Sequence, residues 1–105
     1  GGWAVTGPTQ GTAEQGTSLA VSCGYEPGYE LCPKYWCRPG FLWLCFTYIA
    51  QTNGSEVTVM QGRVSTGDKH TARSFMVTLR GVTPGDAGWY SCGVRFSLWH
   101  TMEAM

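Results

Sequence analysis

The sequence predicts an all-β fold: two antiparallel sheets packed face to face as one domain covering residues 1–105. Three observations carry this. Short apolar runs alternate between turn residues, and the i, i+3, i+4, i+7 period of an amphipathic helix is missing throughout. A chain of 105 residues suits one domain around one core. Finally, Cys23, Trp36 about a dozen residues on, and Cys92 inside Asp86-Ala87-Gly88-Trp89-Tyr90-Ser91-Cys92 have the spacing in which a Trp packs against a disulfide joining two sheets.

Taken in order, Trp3-Ala4-Val5 reads as an edge strand that breaks at Gly7-Pro8, since edges tolerate Pro and bulges tolerate Gly. Residues 18–23 alternate cleanly, with Leu19, Val21 and Cys23 on one face. Residues 25–32, holding Pro27-Gly28, two Glu and two Tyr, form a loop at one end of the sandwich, which Pro33 closes. The next strand is 34–38. Neighbours along a strand point to opposite faces, so with Trp36 plugging the core, Cys37 faces outward and is barred from the core bridge. Its natural partner is Cys45, across a hairpin with Pro39-Gly40 at the bend. Residues 45–50 form the returning strand, and the loop 40–44 between the two is oddly apolar.

A short strand is expected at 57–61, and Gly62-Arg63-Val64-Ser65 opens the next. Residues 74–79 put Phe75, Val77 and Leu79 on one face and form a further strand. Thr83-Pro84-Gly85-Asp86 is a turn, and it leads to Tyr90, placed two residues before Cys92 where such sandwiches carry a corner tyrosine. That strand runs to Phe96. Residues 97–105 must then supply a hairpin and a short, irregular final strand.

Seven basic and seven acidic residues cancel, so nothing resembles a nucleic-acid footprint or a polybasic membrane patch. Five cysteines in so small a chain point to an oxidising compartment, hence to a secreted or cell-surface protein. The chain shows no signal peptide and no apolar run of about 18 residues, which fits an ectodomain cut from something longer as well as a secreted protein. Asn53-Gly54-Ser55 is an N-glycosylation acceptor in an expected surface loop.

Lys34-Tyr35-Trp36-Cys37-Arg38, the Cys37/Cys45 spacing, Gly62-Arg63-Val64 and Asp86-Ala87-Gly88-Trp89-Tyr90-Ser91-Cys92-Gly93 resemble the V-type immunoglobulin domains of the polymeric immunoglobulin receptor and its relatives, the CMRF-type leukocyte mono-immunoglobulin receptors. The similarity spans roughly residues 16–94. It implies an immunoglobulin V-type β-sandwich with a core disulfide, Cys23–Cys92, and an extra bridge between the strands that V-type domains call C and C′, Cys37–Cys45. It also implies a cell-surface recognition module that is no enzyme and needs no cofactor, membrane-anchored in its full-length form, with a secreted form open. Its partners would be phospholipid or sphingolipid head groups, or the Fc of IgM or IgA. In V-type domains an Arg and an Asp at these places pair, which assigns Arg63 and Asp86 a structural role beside Trp36 and Tyr90. Cys32 departs from the four-cysteine pattern: it could stay a free thiol, bridge a second chain into a dimer, or compete for Cys37.

The ligand surface is expected where the B–C and F–G loops of such a domain converge. That end would hold Tyr25, Glu26, Tyr29, Glu30 and Leu31 from the first loop and Arg95, Phe96, Leu98 and Trp99 from the second. Aromatic and apolar anchors suit interface centres and the membrane boundary, and Arg95 would offer a forked donor to a phosphate or carboxylate. Phe96 and Leu98 could equally complete the core. A zinc site from Cys32, Cys37 and Cys45 with His70 or His100 is disfavoured, because no Cys-x-x-Cys pair exists and bridges explain four of the five thiols. Glu26, Glu30 and Glu103 could hold calcium but read better as solvated carboxylates, so no metal is assigned. Nothing resembles a Gly-x-Ser-x-Gly elbow. Phe41, Leu42, Trp43 and Leu44 are either a partner-binding patch or a loop folded back over the sheet.

Overall fold

A computed structural model describes residues 4–95 and 101–103. Nine strands run in chain order among them: β1 Val5–Thr6, β2 Leu19–Tyr25, β3 Lys34–Pro39, β4 Cys45–Gln51, β5 Val59–Gln61, β6 Val64–Lys69, β7 Ser74–Leu79, β8 Ser91–Arg95 and β9 Thr101–Glu103. They form a five-stranded sheet ordered β1-β2-β7-β6-β5 and a four-stranded sheet ordered β4-β3-β8-β9. Every pairing is antiparallel. Single 3-10 turns at Phe41–Trp43 and Pro84–Asp86 interrupt the connections.

The alternation read from sequence is what the two inner faces use. In β7 Phe75, Val77 and Leu79 are buried, and across the sheet Cys23 lies opposite Phe75 and Val21 opposite Val77. Trp36 joins Cys23, Cys92, Phe75, Val77 and Val94 in one buried cluster. Its ring stacks on Tyr90, with centroids 4.3 Å apart and planes 7° from parallel. The Tyr90 hydroxyl donates to the Asp86 carbonyl oxygen at 2.6 Å, fixing the corner that admits β8 to the sheet.

Several boundaries differ from the sequence reading. β2 continues through Tyr25, which pairs with Val5 and is buried, so the expected loop residue belongs to the sheet. β4 gains Gln51, β5 starts at Val59, and β6 starts at Val64. Cys37 and Cys45 are bonded, with Cα atoms 5.8 Å apart, as strand alternation required. Cys23 and Cys92, the expected core pair, meet beside Trp36 as two buried thiols in contact. That contact, then burial, pushes the Cys23 thiol far above its usual range. Gly7 is part of this packing, since a β-carbon there would lie 3.0 Å from the Cys92 sulfur. Trp3 and Phe96, both assigned to strands from sequence, lie outside the described residues.

Candidate functional site

The loop end is built on a charge pair hidden inside the sandwich. With Trp36 inward, the period of two turns Lys34 inward as well, and in β6 the same period buries Val64, Thr66 and Asp68. Lys34 and Asp68 therefore meet between the sheets as an ion pair whose two side chains have no exposed surface. A buried carboxylate needs all its acceptor positions used. Asp68 accepts from the Lys34 ammonium and from the Tyr25 hydroxyl at 2.8 Å. Burial, then the neighbouring Asp68, pushes that hydroxyl well above the ordinary tyrosine range. The Lys34 ammonium also donates to the Glu30 carbonyl oxygen at 2.7 Å and sits 4.4 Å from the centre of the Tyr25 ring. One buried cation thus ties the loop 26–33 to both sheets.

A second tie comes from His70. Its Nε2 donates to the Gly54 carbonyl oxygen at 2.8 Å, and its backbone N–H donates to Glu56 Oε1 at 2.7 Å. Gly54, at φ +94°, lies so close under the loop that a β-carbon would stand 2.2 Å from the Leu31 carbonyl oxygen. Only glycine fits both the angle and the contact. On this support the loop presents Leu31, 79% exposed, and Glu26, also exposed. Glu30 accepts from the Gly28 N–H at 2.7 Å, and its own and the Gly28 backbone N–H groups hold its carboxyl below the ordinary value. Tyr29 and Cys32 are half-buried against the core cluster, and Cys32 stays outside both cysteine pairs.

The expected site residues therefore divide. Glu26, Tyr29, Glu30 and Leu31 share one ordered loop. Tyr25 is placed differently: its ring is in the core and its hydroxyl is committed to Asp68, so it supports the loop from below. Arg95 lies on the outer face of the four-stranded sheet. Its Nη1 donates to Gln51 Oε1 at 3.3 Å and its guanidinium lies 4.9 Å from the Tyr48 ring centre. Phe96, Leu98 and Trp99 lie outside the described residues. Lys34 and Asp68 were missed, although inward charges at alternating positions are a legible signal that each needs a partner. Among the described residues, no three of His, Cys, Asp and Glu gather into a group that could hold a metal ion.

At the opposite end Arg63 grips Asp86 with two hydrogen bonds, 3.0 and 2.7 Å, as assigned. The Thr83 N–H adds a third at 2.8 Å, and Arg63 first and Thr83 second hold the Asp86 carboxyl well below the usual range. The apolar loop is not folded back: Phe41 and Leu42 are 77% and 73% exposed. Two further residues extend that surface, Phe46 and Trp89, the latter meeting Trp43 edge to face at 5.8 Å. A groove of about 1040 Å³ opens between the segment 7–13 and residues 82–92, lined in part by Leu19, Val21, Trp43 and Trp89. It accounts for Leu19 and Val21 facing inward yet being only half-buried. Asn53 is exposed, its Oδ1 accepting from the Ser55 N–H at 3.0 Å.

The family model described as Immunoglobulin V-set domain matches residues 6–104. Human CMRF35-like molecule 1 is 39% identical over 90 residues, 86% of this chain and 31% of that protein. Human Protein CD300H is 39% identical over 90 residues, covering 86% of this chain and 44% of its own. Human CMRF35-like molecule 7 is 37% identical over 94 residues, 90% of this chain and 46% of its own. The chain thus spans less than half the length of these relatives. Among solved structures, the first Ig domain of the mouse polymeric immunoglobulin receptor superposes with a TM-score of 0.75 at 25% identity, covering 98% of this chain and 91% of that one.

Proposed function

Because the chain belongs to the immunoglobulin V-set family, we propose that it is the extracellular ligand-binding domain of a membrane-anchored immune receptor, with no catalytic role. It recognises lipid head groups, phospholipid or sphingolipid, through the loop 26–32, Arg95 at the end of β8 and the residues 96–99 that follow it. The observation that carries this reading is an exposed Leu31 on a loop tied down by the buried Lys34–Asp68 pair and by His70. A loop whose backbone is already fixed loses little freedom on binding, so an exposed anchor there contributes to affinity at low entropic cost. Apolar and amphipathic anchors also suit the boundary between membrane and water.

A second reading, binding of the Fc of IgM or IgA, is favoured by the likeness to the polymeric immunoglobulin receptor domain. Flotation with vesicles carrying phosphatidylserine, phosphatidylethanolamine or sphingomyelin, run beside surface binding to IgM and IgA, separates the two. Head-group-dependent flotation weakened tenfold by Tyr29→Ala/Leu31→Ala supports the first. Immunoglobulin capture without flotation replaces it with the second.

A further inference from the structure

We propose that the β3–β4 hairpin tip, residues 41–46 with Trp89 beside it, is a second contact surface, one that docks on a phospholipid bilayer. Phe41, Leu42, Phe46 and Trp89 are 77%, 73%, 66% and 69% exposed, and Leu44 and Trp43 add to the same surface. A contiguous apolar patch on a small domain marks a site of contact. The backbone holds these side chains outward. Leu42 at φ +56° and Trp43 at φ +62° occupy the left-handed region, which bulky residues adopt only where surrounding structure imposes it.

What imposes it is local. The Gly40 N–H donates to the Leu44 carbonyl oxygen at 2.8 Å, and the Trp43 N–H donates to the Gly40 carbonyl oxygen at 3.0 Å. The Cys37–Cys45 bond closes the hairpin just behind. The tip is therefore a preformed apolar prow whose side chains are held away from the domain's own core.

Charge identifies the occupant. Among the described residues, Arg38, Arg63 and Arg80 lie at this end with Glu14 and Asp86, and Asp86 is gripped by Arg63. The balance is basic, which suits anionic phosphate head groups around an apolar insertion. Topology adds a further reason. β9 runs antiparallel to β8 and so carries the chain back toward the end where Trp89 and the tip lie. If the anchor of the membrane-anchored receptor proposed above follows β9, this end turns toward its own membrane.

The test is flotation of the whole chain with phosphatidylcholine vesicles, with and without phosphatidylserine. Phe41→Ser/Leu42→Gly/Phe46→Thr is expected to lower partitioning at least tenfold with the melting temperature unchanged, Leu42→Gly relieving the positive φ. Trp89→Ser gives an independent, smaller loss should the triple variant fold poorly. Met76→Ser, exposed on the other sheet, should float as wild type. The inference is overturned if wild type does not float, if both tip variants float as wild type, or if they change only the sedimentation coefficient, which would mark a copy-to-copy contact. Flotation kept by the tip variants and lost on Leu31→Ser would sink this surface while leaving the loop-end reading intact.

Discussion

Replacing Asp68 by Asn removes one charge and little else. The amide oxygen can still accept from the Tyr25 hydroxyl, now at 2.8 Å from Asp68 Oδ1. The Lys34 ammonium, however, keeps its charge in a site where neither side chain of the pair has any exposed surface. Its remaining neutral acceptor is the Glu30 carbonyl oxygen at 2.7 Å. Leaving a buried charge uncompensated costs about 3–5 kcal/mol. For a domain near 100 residues, at roughly 4–5 °C per kcal/mol, the melting temperature should fall by roughly 12–25 °C. The double change Lys34→Met/Asp68→Leu deletes both charges and should recover most of that loss, apart from about 1–3 kcal/mol for the orphaned Tyr25 hydroxyl. Thermal and urea melts by circular dichroism measure both. A single variant within about 1 kcal/mol of wild type, or a double variant as unstable as the single, would refute the idea that this pair holds the loop end together.

Asp86 stabilises the fold only while ionised: its native-state value is depressed, so the contribution is present above the ordinary 3.8 and lost as pH falls below it. Asp86→Asn should therefore flatten the stability profile in acid, which melts at stepped pH will show, and a profile parallel to wild type counts against the Arg63 grip. In protein from an oxidising secretory host, peptide mapping without reduction should find Cys23–Cys92 and Cys37–Cys45, with Cys32 in neither. The long bridge should stabilise by about 4 kcal/mol and the short one by about 2.5, so Cys23→Ala/Cys92→Ala should lower stability more than Cys37→Ala/Cys45→Ala; Cys32 joined to Cys37 or Cys45 would contradict the outward placement of Cys37. Asn53 should carry a glycan in such a host, and an unchanged mass after glycosidase treatment would show the acceptor unused.

Much of the fold was legible because a period of two was kept wherever a face is buried. β7 was read at its observed bounds, and turning Trp36 inward was enough to send Cys37 to Cys45. The misplacements have one cause: polar and aromatic residues were read by type instead of by phase. Tyr25 was given to the loop because it sits beside Glu26 and Pro27, yet two residues after Cys23 it must share that cysteine's inward face. Lys34 and Asp68 carry the phase of Trp36 and Val64, and a reading that followed phase would have paired them. The outcome for Phe41 and Leu42 was not legible. Whether such a loop folds back depends on the left-handed angles at Leu42 and Trp43, which no hydrophobic pattern encodes.

Amide hydrogen exchange on the domain with and without its bound ligand, lipid vesicle or immunoglobulin, tests the placement of recognition at the loop end most directly. Protection is expected over residues 26–32 and 95–99, with β2 and β7 unchanged. Protection confined to residues 59–69, with the loop end exchanging as in the free domain, would contradict it.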